Sequence, residues 1–83
     1  MEIRLLFFAS CRDIAGTKEM SLQLPDGSTV MDLRQVLSDR FPALKPLEGV
    51  VSIAVNAEYA DNAVVLGPGD EVAVIPPVSG GGR

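Results

Sequence analysis

Thr29-Val-Met-Asp-Leu-Arg-Gln-Val-Leu-Ser-Asp-Arg-Phe-Pro42 is the stretch that sets the architecture. Val30, Leu33, Val36, Leu37 and Phe41 recur at helical spacing, with Asp32, Arg34, Gln35 and Asp39 away from that stripe. Thr29 suits an N-cap and Asp32 the N3 position, an acidic variant of the capping box that also matches the helix dipole. Pro42 ends the helix, because the residue before a proline is pushed out of the helical region. On both sides of this segment the apolar pattern changes to period two, so one main helix must serve a whole sheet.

Upstream, residues 2–9 predict a strand with Ile3, Leu5 and Phe7 on one face and Arg4, Leu6 and Phe8 on the other. Both faces are rather apolar, which predicts a central strand whose second face is covered by a helix, a loop or a partner. Residues 9–16 break the alternation; Cys11-Arg-Asp-Ile-Ala predicts one helical turn, stopped by Gly16. Residues 19–24 alternate again, and Pro25-Asp-Gly is a turn. Downstream, residues 43–49 predict a loop and residues 50–55 a strand rich in β-branched residues. Asn56-Ala-Glu-Tyr predicts a turn, residues 63–66 a short edge strand, Gly67-Pro-Gly-Asp a turn, and residues 71–75 the last strand.

The fold class is therefore α+β: a roll with a mixed sheet of four to five strands and one main helix packed on it. The expected arrangement is the β-grasp (ubiquitin-like) one, with the first and last strands as central neighbours, although spacing alone leaves strand order open. Residues 1–75 form the domain and residues 76–83 a flexible tail. Eighty-three residues leave no room for a second domain. With no His and one Cys, neither a Cys/His zinc site nor a Ser-His-Asp triad can be built, and no metal ligands are expected. A net charge of −4 and a pI near 4.5 disfavour nucleic acid and phosphorylated ligands as direct partners. No apolar run approaches a membrane span or a signal peptide, and a lone Cys11 fits a reducing compartment, so a cytoplasmic protein is expected.

Past Ile75 the pattern stops, at Pro76-Pro77-Val78-Ser79-Gly80-Gly81-Gly82-Arg83. Two prolines cannot donate to a ladder and favour a stiff, extended exit, whereas the glycines remove every side chain. Pro76 to Gly81 reach roughly 20 Å when extended, a shape suited to a narrow channel. A frayed tail or a linker has the same composition.

The segment from Gly69 through Asp-Glu-Val-Ala-Val-Ile-Pro-Pro-Val-Ser-Gly to Gly81 resembles the C-terminal signature of the small subunit of molybdopterin synthase, the MoaD family. The stretch from Leu6 through Phe-Phe-Ala-Ser-Cys-Arg-Asp-Ile-Ala to Gly16 is similar to that family's first strand and following turn, and Phe41-Pro42 and Val55-Asn56 fall where the family has them. The resemblance implies a sulfur carrier. A partner resembling ubiquitin-activating enzymes uses ATP to adenylate the terminal glycine, a sulfurtransferase supplies sulfur, and the resulting thiocarboxylate enters the large synthase subunit. There sulfur passes to cyclic pyranopterin monophosphate in molybdenum cofactor biosynthesis. The chain itself would bind no cofactor and carry no catalytic side chain, acting as the donor subunit of an enzyme complex. The resemblance assigns the reactive terminus to Gly81, with Gly82 second, tail insertion to Pro76, Pro77, Val78, Ser79 and Gly80, and partner docking to Phe8, Arg12 and Ile75. The sequence continues past the family's usual end with Gly82-Arg83, which implies a processing protease, a functional end at Gly82, or a variant that carries no sulfur.

Sulfur carriers for thiamine thiazole synthesis and for tRNA thiolation share this chemistry, and a non-covalent ubiquitin-like interaction module shares the fold. Cys11 has no neighbouring His and is expected to be a small turn residue rather than a thiol relay. Asp70 and Glu71 are expected as turn charges and Tyr59 as a half-buried edge residue.

Overall fold

The computed structural model describes residues 1–77. In chain order the elements are β1 (Glu2–Phe7), α1 (Ala9–Ala15), β2 (Glu19–Gln23), α2 (Val30–Arg40), a 3₁₀ segment (Pro42–Leu47), β3 (Ser52–Val55), β4 (Glu58–Tyr59) and β5 (Glu71–Ile75). The strands form one sheet in the order β2-β1-β5-β3-β4. β1 and β5 are parallel central neighbours, with Leu5 opposite Val72 and Phe7 opposite Val74, and the other pairs are antiparallel. This is the β-grasp arrangement expected from the single-helix pattern.

The capping box at the start of α2 is fully formed. Asp32 N–H donates to Thr29 Oγ1 at 3.2 Å, and Thr29 N–H donates to Asp32 Oδ2 at 2.9 Å. Val30, Leu33 and Leu37 are buried against Ile3, Leu5, Ile53, Val72 and Val74 from the sheet, while Val36 and Phe41 are half-buried at the margin. Phe41 meets Phe7 edge-on at 5.7 Å between ring centroids. These contacts fill one face of the sheet only.

Several expectations need correction. The first strand ends at Phe7 rather than residue 9, because Ala9 adopts a left-handed φ of 48° and starts α1, which is seven residues rather than one turn. Gly16 does end it, at φ 77°, with its N–H on the Arg12 carbonyl. The segment expected as a loop after Pro42 is a 3₁₀ helix: a proline opening a helix loses only an N–H that has no partner there. The edge strand is Glu58–Tyr59, not residues 63–66. Asn56 and Ala57 both have positive φ, at 51° and 73°, and make a two-residue hairpin turn, so the turn signal was right but the strand after it was hidden. Val64 and Val65 instead clasp the start of α2, through Val30 N–H on the Val64 carbonyl and a single bridge between Val65 and Thr29. Tyr59, expected half-buried, is 76% exposed.

Arg34 was expected on the solvated side of α2 but is half-buried and joins three segments. Its Nε donates to Asn62 Oδ1 at 2.8 Å, and its Nη1 to the carbonyls of Val51 at 2.7 Å and Glu48 at 3.1 Å. Ser38, one turn further along the helix, donates to Glu48 Oε1 at 2.7 Å. Among the described residues no helix is long and apolar enough to cross a membrane.

Candidate functional site

The second face of the sheet carries the residues that the alternation of β1 and β5 leaves outside the core. The pairing register sets Leu6 of β1, Ala73 of β5, Ala54 of β3 and Tyr59 of β4 in one row across four strands. At the usual strand spacing this row is about 14 Å long. Glu19 of β2 continues it on the far side of Leu6. In the next row towards the end of β5, Ile75 stands opposite Ser52. Phe8, just past β1, is 47% exposed and belongs to the same face by alternation. On this face Phe8 and Tyr59 are exposed, Leu6, Ala73 and Ile75 are half-buried, and Ala54 is buried.

Phe8 is held on both sides through its backbone. Its N–H donates to the Val74 carbonyl at 3.2 Å, one residue before Ile75. Its carbonyl accepts from Cys11 N–H at 3.0 Å and from Arg12 N–H at 3.4 Å, the opening turn of α1. Phe8, Leu6, Arg12, Lys18 and Glu19 line one shallow cleft beside the end of β1. The structure therefore brings together Phe8 and Arg12, and sets Ile75 on the adjacent strand. Pro76 is half-buried and Pro77 exposed where the chain leaves the sheet. Val78, Ser79, Gly80, Gly81 and Gly82, to which tail insertion and the reactive terminus were assigned, lie outside the described residues.

The electrostatics of this corner differ from those of the whole chain. Arg4 pairs with Glu19 through its Nε, at 2.8 Å, and through Nη2, which takes up the local carboxylate. Arg12 and Lys18 then supply two cations beside an exposed phenyl ring in a protein of net charge −4. Such a corner favours an apolar surface edged with carboxylates. Lys18, Ala73 and Tyr59 were missed as site residues. Ala73 was readable from the alternation of β5, whereas Lys18 arrives only through the β1–β2 pairing, with Phe7 N–H on its carbonyl at 2.9 Å.

Cys11 is fully buried on the inner side of α1, in the core rather than in a turn. Burial pushes its thiol above the ordinary cysteine range, so it stays protonated and unreactive, in line with a packing role. Asp70 is the turn charge expected. Its Oδ2 accepts from Gly67 N–H at 2.7 Å, and its Oδ1 from Asn56 Nδ2 at 3.0 Å, which locks the entry to β5.

Residues 5–81 match the model of the ThiS family. The chain belongs to that family. The ThiS-family match stops at Gly81, two residues before Arg83. A molybdopterin synthase sulfur carrier subunit from Chlamydomonas reinhardtii is 40% identical over 83 residues, covering 98% of this chain and all of that protein. One from Arabidopsis thaliana is 37% identical over 81 residues, covering 98% of this chain and 84% of that protein. Among solved structures, subunit 1 in the complex of subunits 1 and 2 of molybdopterin-converting factor from Helicobacter pylori superposes with a TM-score of 0.70 at 29% identity, covering 98% and 100% of the two chains. The resemblance carried by the Pro-Pro-Val-Ser-Gly-Gly motif thus holds over nearly the whole ThiS-family chain.

Proposed function

We propose that the chain is the sulfur-carrier subunit of a cytoplasmic molybdopterin synthase. The observation that carries this reading is the near full-length identity to proteins named as that subunit, joined to a fold whose central strand β5 leads directly into the Pro76-Pro77 tail. The reactive group is the main-chain carboxylate of Gly81, exposed by a processing protease that removes Gly82-Arg83. The end of the family match at Gly81 favours that residue over Gly82. A carboxylate is a poor electrophile. Attack of its oxygen on the α-phosphorus of ATP, held by a ubiquitin-activating-like adenylyltransferase, releases pyrophosphate and makes the acyl-AMP. A sulfide-level nucleophile delivered by a sulfurtransferase then displaces AMP, leaving a thiocarboxylate. This chain contributes no cofactor site and no catalytic side chain to these steps; ATP belongs to the activating partner.

The thiocarboxylate tail, Pro76 to Gly81, enters the large subunit and gives its sulfur to cyclic pyranopterin monophosphate. Phe8, Arg12 and Ile75, with Leu6 and Tyr59 on the same open face, dock the chain on that subunit and on the activating enzyme. The two-subunit complex from Helicobacter pylori supports a partner of this kind. The test is reconstitution with the cognate adenylyltransferase, ATP and a sulfur donor. The chain ended at Gly81 is expected to form the adenylate and exchange one oxygen for sulfur, and the chain ending at Arg83 to do neither. Equal modification of both would refute the processing step, and modification of neither would refute the carrier.

A second reading has one observation in its favour. The small archaeal modifier protein 1 from Methanosarcina acetivorans superposes with a TM-score of 0.79 at 31% identity, covering 96% of each chain. A modifier would form an amide between Gly81 and a lysine of another protein, so the same reconstitution with a cell extract separates the two by the appearance of conjugates.

A further inference from the structure

Ala9 is a non-glycine residue in the left-handed region, with a φ of 48°, where the Cβ itself crowds the neighbouring carbonyl oxygen and a β-branch adds to the crowding. It is the first residue of α1, directly after the exposed Phe8, and lines the same cleft as Phe8 and Arg12. The left-handed step lets the chain reverse direction at the end of β1. Three consequences are visible: the Phe8 carbonyl turns to accept from Cys11 and Arg12, Cys11 is driven fully into the core, and Arg12 returns to the side of Phe8. Meanwhile the Phe8 N–H stays on Val74, so the same residue is tied to the strand that carries the tail.

We propose that Ala9 is a positioning residue for partner docking: its left-handed turn fixes Phe8 and Arg12 as one preformed pair, in register with the root of the tail. This rests on the docking reading of Phe8 and Arg12 given above. Strained backbone is retained where the surrounding structure over-determines it and where geometry is used. Here the return is preorganisation, because a loosened turn would let Phe8 and Arg12 sample separate directions and pay that ordering on binding.

The test is an affinity series ordered by backbone tolerance rather than side-chain size. Ala9→Gly and Ala9→Asn both accept positive φ, whereas Ala9→Val, β-branched, does not. Binding of each full chain to the cognate synthase large subunit is measured by calorimetry at a temperature where circular dichroism shows every variant folded. Ala9→Asn is expected to bind within about threefold of the parent and Ala9→Val at least tenfold more weakly, as for a contact or ordering worth over about 1.4 kcal/mol. Phe8→Ala is the control for the docking reading. If Phe8→Ala binds normally, that reading fails; if Phe8→Ala is weakened but folded Ala9→Val binds as the parent does, the role assigned to Ala9 fails. Should Ala9→Val not fold, the comparison of Ala9→Asn with Ala9→Leu decides: equal affinities overturn the proposal.

Discussion

Replacing Arg34 by Met should cost this domain about 2 kcal/mol, although the residue sits on the helix face that sequence patterning assigns to solvent. Methionine keeps an apolar stem against Leu37, Leu44 and Ile53, which line the same small cavity, and removes only the donors. Of the three acceptors, Asn62 Oδ1 and the Glu48 carbonyl are exposed, so water replaces Arg34 there and the loss is about 0.5 kcal/mol. The Val51 carbonyl is partly buried at the start of β3, and stranding it costs about 1–2 kcal/mol. For a domain of this size that lowers Tm by roughly 8–16 °C. Urea unfolding followed by far-UV circular dichroism measures the loss directly, as a shift in midpoint at constant slope. Arg34→Lys should recover less than half of it, because a single ammonium on a flexible stem cannot span Asn62 and Val51 together. An Arg34→Met loss below about 0.5 kcal/mol, or complete rescue by lysine, would refute the view that Arg34 ties helix to sheet.

Other outcomes follow from the same geometry. Ala57→Gly relieves the positive φ in the β3–β4 turn and should raise Tm, by about 0.4–1 kcal/mol of stability. Leu33→Ala, at the fully buried centre of α2, should cost about 2.7–5 kcal/mol in denaturant titration. Because burial raises the Cys11 thiol, the folded state favours its protonated form; that contribution is intact below the unfolded thiol's value and is lost as pH rises above about 8.5. Thermal scans from pH 8 to 10 should therefore show a smaller decline for Cys11→Ala than for the parent, and equal slopes would contradict the assignment. Deleting residues 81–83 should abolish sulfur transfer while Tm stays within about 2 °C, since the core residues from Ile3 to Val74 all lie upstream.

What the residues announced in advance was local physics. The Thr29–Asp32 box, the Leu33–Leu37 stripe and the left-handed Gly16 each depend on neighbours within a few positions, and each formed as expected. The period-two runs also identified β1 as central, since both its faces were apolar. What escaped notice depends on distant partners. Arg34 looked solvated because Val51 and Asn62 are 17 and 28 residues away. Val64 and Val65 had strand propensity but were used by the N-terminus of α2, leaving Glu58–Tyr59 to form the edge. Pro42 and Pro46 suggested a loop, yet a 3₁₀ turn tolerates prolines where no N–H is needed.

The candidate site divides along the same line. The tail motif is a run of consecutive residues and needs no fold to be read, but Val78 to Gly82, on which the proposed chemistry falls, lie outside the described residues. The proposed docking corner was half legible. Phe8, Arg12 and Ile75 stand out as apolar or charged residues near strand ends, and Ala73 follows from the alternation of β5, but Lys18 and Tyr59 join them only through strand pairing. That Phe8 and Arg12 lie beside the strand that carries the tail follows from the parallel pairing of the first and last strands.

The carrier assignment comes down to the state of the carboxyl terminus in the cell. Intact-mass measurement of the protein isolated from its native source should find a chain ending at Gly81, part of it bearing one sulfur in place of oxygen. Protein that uniformly retains Gly82-Arg83 and carries no sulfur would contradict the account.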